Sequence, residues 1–455
     1  MNMTFWKTFW ASLLASVATG IIVLFIFFGI LNAMVSGFGT MFEAKQLTVN
    51  ENTVLHMELD GMIGDYTYAN FEPLNFQLDK QLGLNEILLG IELAKNDPKI
   101  EGIFLNCDNV AAGMATVKEI RDALADFQES GKFIVSYHEN YSKKAYYLSS
   151  VADELYVFPS GMMDFLGLGT EIVFVKGALE KLDVEMQIIR GSNNRFKSAV
   201  EPLIYDHMSD ANRIQTQKYL DALWSEMTGA IAASRNMKVG YLNKIADSVF
   251  IRKSGDAVDY KMADGIKYYD EILDLLATKS GTIEGEEVEL LSFQKYAIKK
   301  TKEERILASM DDKNLAVIFA EGEIVDGSGS KTQIGGTSLS AQIREARLDE
   351  NIKGVVLRIN SPGGSGFASE IIRQRLELLN ENIPIVISMG DIAASGGYWI
   401  SMNQNTIIAN PFTLTGSIGV WAALPNFKDS FEKAGILFDQ VSTNELNFSL
   451  FEPPN

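Results

Sequence analysis

Two turns in the second half of the chain carry residues suited to acyl chemistry. In Asp391-Ile392-Ala393-Ala394-Ser395-Gly396-Gly397-Tyr398 a serine precedes two glycines just after the apolar run Ile385 to Ser388. This spacing predicts a strand-to-helix turn with little bulk to block a scissile carbonyl. In Asn360-Ser361-Pro362-Gly363-Gly364-Ser365, which follows the apolar run Val355 to Ile359, two glycines after a proline let the backbone turn sharply. They present bare N–H groups suited to an oxyanion. Each turn alone has an ordinary explanation, in tight-turn glycines and a helix-capping serine. Together they favour catalysis.

A nucleophilic serine needs a base. The three histidines, His56, His138 and His207, have no obvious triad setting, which disfavours a Ser-His-Asp arrangement. The other common base is a lysine kept neutral by burial, because an ammonium cannot accept a proton. Lys197, in Asn194-Arg195-Phe196-Lys197-Ser198-Ala199-Val200-Glu201-Pro202, has apolar neighbours on its C-terminal side. Taken alone it reads as an ordinary surface lysine.

An internal repeat changes that estimate. Gly102 to Pro159 can be laid on Gly354 to Pro411 without a gap. Gly102, Leu105, Ile120, Arg121, Leu124, Ser136, Tyr146, Ser149 and Pro159 then meet identical residues at Gly354, Leu357, Ile372, Arg373, Leu376, Ser388, Tyr398, Ser401 and Pro411. Both copies read as strand, turn, helix and strand (Ile103 to Cys107 and Phe133 to Ser136; Val355 to Ile359 and Ile385 to Ser388). Each also opens with its own strand, Val54 to Leu59 or Leu315 to Ala320. Right-handed crossover units of this kind build a largely parallel sheet covered by helices, so the fold class is α/β. In the first copy Ser395 is replaced by Lys143, and Pro362-Gly363-Gly364 by Val110-Ala111-Ala112. Conversely, the second-copy stretch Asn447 to Pro453 keeps the Glu-Pro of the lysine segment without a lysine. Serine in one half and lysine in the other imply a site shared between halves.

The expected organisation is a membrane anchor over residues 1–42, a first domain over 43–300 that supplies the lysine, and a second over 301–455 that supplies the serine. Lys279 to Asn314 reads as a linker followed by a polar helix. From Thr8 to Phe42 no residue is charged, and this run exceeds the roughly 20 apolar residues that span a bilayer. It also outlasts the apolar region of a cleaved signal peptide, so a retained anchor is expected. Lys7 favours a cytoplasmic N-terminus and an extracytoplasmic remainder. Of the 455 residues, 47% are hydrophobic and 22% charged, a globular composition, and the net charge of -19 argues against nucleic acid binding. The single cysteine, Cys107, excludes an internal disulfide and leaves the compartment open.

With these residues assembled, the chain resembles the signal peptide peptidase A family in its long, duplicated form, a membrane-bound Ser/Lys peptidase group with a crotonase/ClpP-like fold. The likeness covers almost the whole chain and rests on four motifs in order: Phe196 to Pro202, Ser361 to Ser365, Ala394 to Tyr398, and Thr415-Gly416-Ser417-Ile418-Gly419-Val420. The resemblance implies that Ser395 attacks the peptide carbonyl, Lys197 takes its proton, and Ser417 holds the lysine in place. It also implies an oxyanion hole in the Gly363-Gly364 turn and Gly396, with Gly364 and Gly396 giving the N–H groups. No metal and no cofactor is implied. Expected substrates are cleaved signal peptides and other apolar peptides, handled by a homotetramer at the outer face of a bacterial inner membrane. The resemblance further implies a long stretch beyond the point matching Asn455, so the sequence reads as a fragment or a truncated form. Two other readings stay open: a truncated scaffold that binds peptides without cutting them, and a crotonase-type acyl-CoA enzyme of the same fold.

Overall fold

The computed structural model describes residues 9–14, 16, 19–20, 23–24, 27, 47–72, 77–191, 193–283, 285–308, 314–402, 406–439, 441 and 443–444. The chain divides into two compact units, Met1–Asn50 and Glu51–Asn455. In the first, the described residues from Phe9 to Phe27 are helical. Most of the expected anchor lies outside the described residues, as does the stretch Asn447 to Pro453. Among the described residues no helix is long and apolar enough to cross a membrane.

The unit Glu51–Asn455 is mixed α/β and is built on two parallel sheets. Its strands in chain order are β1 (Thr53–Met57), β2 (Tyr68–Glu72), β3 (Gln77–Gln81), β4 (Ile100–Leu105), β5 (Phe133–Tyr141), β6 (Glu154–Met163), β7 (Glu185–Arg190), β8 (Gly265–Ile266), β9 (Leu290–Ser292), β10 (Leu315–Glu321), β11 (Glu323–Val325), β12 (Gln333–Gly335), β13 (Gly354–Ser361), β14 (Ile385–Ala394), β15 (Thr406–Ala409), β16 (Leu414–Gly416) and β17 (Trp421–Asn426). The first sheet runs β8-β6-β5-β4-β1-β9 and the second β10-β13-β14-β15, with β16 also paired to β14. Every pairing within these two sheets is parallel.

The central strands of the first sheet are apolar on both faces, as a sheet covered by helices requires, whereas those of the second alternate, with Arg358 and Ser388 on the face opposite its core. Ile103, Phe104, Leu105, Ile134 and Val135 are buried in the first sheet, and Leu357, Ile359, Ile385, Ile387 and Met389 in the second. Ile372, Leu376 and Leu379 of the helix Gly366–Asn380 complete the second core. Their spacing is the helical apolar stripe that the sequence shows.

The region from Lys279 to Asn314 contains the expected helix, but the stretch before it is more than a linker. Its Leu290–Ser292 is a strand that extends the first sheet beyond β1, through Val54↔Leu290 to His56↔Ser292. The helix Phe293–Ala308 that follows buries Phe293, Tyr296 and Ala297. Three apolar residues inside a charged stretch were enough to pack one helix face, although the average composition concealed them.

Among the contacts that join the halves, two groups hold the parts that carry the site. One is an antiparallel ribbon, β7 with β17, running from Glu185↔Asn426 to Arg190↔Trp421. The other is a buried polar cluster. Arg358 of β13 reaches Asp65 at 2.9 Å and Glu119 at 2.8 Å, and Asp65 is only 2% exposed. Glu321, at the end of β10, accepts the Asp65 N–H at 3.2 Å. Asp391 of β14 caps the helix Met114–Gln128 of the other half, accepting the Thr116 N–H at 3.0 Å and its hydroxyl at 2.6 Å. A Cβ on Gly113 would lie 2.1 Å from that carboxylate, so glycine makes room for the cap.

Candidate active site

Ser395 follows the last residue of β14 and precedes the helix Gly396–Ser401. Its backbone sits at φ 53° and ψ -114°, a region that side chains with a Cβ rarely occupy. Two bonds hold it there. The Ser395 N–H donates to the Gly416 carbonyl at 2.9 Å, and its carbonyl accepts the Trp399 N–H at 2.8 Å. Because β16 runs parallel beside the end of β14, with Ala394 opposite Gly416, the next residues of the two strands, Ser395 and Ser417, emerge side by side.

Lys197 arrives from the other half. Beyond β7 the chain turns through Asn194, and Lys197 precedes the short helical turn Ser198–Val200. Its side chain is 5% exposed. Its Nζ lies 3.2 Å from Ser395 Oγ, 3.0 Å from Ser417 Oγ and 2.5 Å from the Ser417 carbonyl oxygen. Burial holds its pKa below the ordinary lysine value. A neutral amine has two N–H groups and one lone pair. Two donations to Ser417 leave the lone pair for the Ser395 hydroxyl, which is the arrangement a general base requires.

The segment after Lys197 is tied down by Glu201, which is 2% exposed. Its carboxylate accepts from Ser209 Oγ at 2.6 Å, the Ser209 N–H at 3.1 Å and Asn212 Nδ2 at 2.9 Å, at the start of the helix Asp210–Ser234. Gln215 of the same helix donates to Ser198 Oγ at 2.7 Å.

The glycine turn lies over Ser395. Gly363 and Gly364 have φ of 99° and 148°. Ile324 of β11 straps the turn, donating its N–H to the Gly363 carbonyl at 2.8 Å and accepting the Ser365 N–H at 2.8 Å. The Gly363 N–H donates to Ser361 Oγ at 3.2 Å, so this glycine is needed for space rather than as a donor. A Cβ there would sit 2.5 Å from the Gly396 nitrogen and 2.8 Å from Ser395 Cβ. A Cβ on Gly396 would sit 3.2 Å from the Gly364 nitrogen. The N–H groups of Gly364 and Gly396 thus lie close together, and the latter, at the first position of a helix, has no intrahelical acceptor.

These groups open into a cleft of about 620 Å³ whose walls include Tyr398, Trp399, Met402, Ile418, Val420 and Trp421. The histidines lie elsewhere: His56 in β1 stacks on Phe104, His138 contacts Asn140, and His207 pairs with Asp206. Lys143, the first-half counterpart of Ser395, pairs with Asp164 at 2.7 Å. Among the described residues no group of His, Cys, Asp or Glu is arranged to hold a metal ion.

A model of peptidase family S49 matches residues 126–282 and 377–451, together just over half of the chain. A Protease 4 of Haemophilus influenzae is 34% identical over 427 residues, 90% of this chain and 69% of the relative. The chain belongs to peptidase family S49. Another Protease 4, of Salmonella typhi, is 36% identical over 373 residues, 80% of this chain and 59% of that protein. The chloroplastic serine protease SPPA of Arabidopsis thaliana is 31% identical over 411 residues, 89% of this chain and 59% of that protein. By class, therefore, this S49 member is a serine peptidase, and it spans 59% to 69% of the length of these relatives. Lys197 falls in the first stretch of the family match, and Ser395, Gly396 and Ser417 in the second.

Sequence reasoning did not single out Asn194, Ser361 as the partner of Gly363, or the strap at Ile324. Their contacts depend on how loops from distant parts of the chain meet. The one available signal was that Ser361 and Asn194 lie within the segments that carry Gly363 and Lys197.

Proposed function

We propose that this chain cleaves apolar peptides, cleaved signal peptides among them, with Ser395 as nucleophile, Lys197 as general base and Ser417 as the residue that orients the lysine. The observation that carries this reading is the buried Lys197 Nζ, 3.2 Å from Ser395 Oγ and donating to Ser417. Ser395 Oγ attacks the carbonyl carbon while its proton passes to Nζ. The oxyanion that forms accepts the N–H groups of Gly364 and Gly396. Collapse of the tetrahedral intermediate expels the amine, which takes the proton back from Lys197 and leaves an acyl-serine. Water, deprotonated by the same lysine, then releases the second product. The apolar walls of the cleft support an apolar substrate.

The wider reading has two copies of one ClpP-like domain, 43–300 and 301–455, contributing one reactive group each. It is supported by the two parallel sheets and by the repeat. Residues 1–42 anchor the chain in a bacterial inner membrane with the catalytic unit on the outer face, supported by the charge-free run Thr8 to Phe42. A homotetramer is the assembly that the family resemblance implies.

The test is hydrolysis of a fluorogenic apolar peptide in detergent by the parent, Ser395→Ala and Lys197→Ala. Each substitution is expected to lower kcat by on the order of 10⁴ or more. Full activity in either variant overturns the assignment of that residue.

A further inference from the structure

The loops that carry Lys197 and Ser417 meet at one side chain outside the reacting groups. Asn194 lies three residues before Lys197 and accepts the Lys197 N–H on its carbonyl at 3.0 Å. Its own N–H donates to the Gly191 carbonyl at 3.2 Å, which closes the turn that leads out of β7. Its side-chain Nδ2 donates to the Val420 carbonyl at 3.2 Å, across to the loop between Ser417 and β17. That loop makes space for it: Gly419 has φ 126°, and a Cβ on Gly419 would lie 2.8 Å from the Asn194 Cγ, Nδ2 and Oδ1 atoms. One residue therefore fixes the backbone of the lysine turn on one side and the 417–420 loop on the other. This is the point where the β7-β17 ribbon opens toward the cleft.

We infer that Asn194 is a positioning residue for the Ser/Lys site, a clamp that sets the separation of Lys197 from Ser417 and keeps the lysine amine out of water. This rests on the roles proposed above for Lys197 and Ser395. The alternative, that Asn194 merely closes a surface turn, makes a different prediction. A turn closer contributes stability and leaves the chemistry of Lys197 alone. A clamp alters the reach and hydration of Nζ while the fold persists, since a misplacement of about 1 Å at a reacting group costs roughly 10²-fold.

Two measurements on the full chain test this. In peptide hydrolysis, Asn194→Ala is expected to lower kcat by about 10- to 100-fold with little change in KM. The ascending limb of its pH profile is expected to move to higher pH, because a hydrated lysine returns toward its ordinary pKa. The second measurement does not depend on turnover. Competitive acetylation by acetic anhydride, read by peptide mass mapping, reports the titration and reactivity of the Lys197 amine directly. In Asn194→Ala that amine is expected to titrate higher than in the parent, with the other lysines unchanged. The clamp is overturned if Lys197 titrates in the variant as in the parent, or if kcat falls only with the thermal unfolding midpoint while the pH limb stays in place. Activity that survives Ser395→Ala or Lys197→Ala sinks the proposed roles, whereas the acetylation result still decides whether Asn194 positions the lysine.

Discussion

Ser395 combines a hydroxyl within reach of a buried amine with a backbone that its own Cβ disfavours. At φ 53° a serine has a strained conformation that glycine would adopt freely, and the bonds to Gly416 and Trp399 hold it there. Of two variants that both lack the hydroxyl, Ser395→Gly is therefore expected to be more stable than Ser395→Ala by about 1 kcal/mol, measured by urea unfolding. Equal stabilities would show that the turn stores no strain. At this scale the sequence was informative where chemistry demands a residue type. Ser395 and Lys197 stand out because the two copies differ at those motifs, Ser417 only through the family resemblance, and the structure places the three side chains together. Gly363 was read with Gly364 as part of the oxyanion hole, but its N–H is committed to Ser361, because which way a peptide group faces is decided by tertiary contacts.

The elements act as carriers. Parallel pairing of β14 with β16 brings two serines to one sheet end, and the β7-β17 ribbon brings the lysine to meet them. The strap at Ile324 fixes the glycine turn so closely that a Cβ on Gly364 would come within 2.0 Å of the Ile324 carbonyl oxygen. Gly364→Ala is accordingly expected to displace its N–H and lower kcat by about 10²- to 10³-fold, with substrate binding less affected. Steady-state kinetics on the apolar peptide check this, and an unchanged kcat would remove Gly364 from the oxyanion hole. The parallel strands could be read from apolar runs of the right length. The ribbon could not, since Glu185–Arg190 and Trp421–Asn426 lack the strict alternation that marks an amphipathic strand, and their pairing is long-range. The edge strand Leu290–Ser292 was hidden for a related reason, being three residues long in a charged stretch.

Across the whole molecule, the site is only as good as the joint between halves. Around Arg358 lie Asp65, Glu119, Glu321 and Asp391, more carboxylates than one guanidinium can neutralise. Burial, followed by the nearby charge of Asp65, pushes Glu321 up to about 7. Burial also raises Asp65 and Glu119. A carboxyl raised in the folded state favours folding while it keeps its proton. Its contribution is thus complete at pH values below about 4.5, falls as pH rises, and is gone above about 7. Glu321→Gln is expected to flatten that part of the stability–pH curve and to be more stable than the parent at about pH 8, as read by urea unfolding at several pH values. Curves of identical shape for parent and variant would mean that Glu321 does not titrate in this window.

The cap that Asp391 supplies to the helix Met114–Gln128 shows how deeply the halves depend on each other. A chain opened between Ala308 and Asn314 would yield two polypeptides that each carry unfinished business: one a helix without its cap and a lysine without its serine, the other an arginine without the two acids it bonds, Asp65 and Glu119. A substitution at Asp391 would therefore be felt at Thr116, and one at Arg358 at Asp65 and Glu119, on the far side of the break.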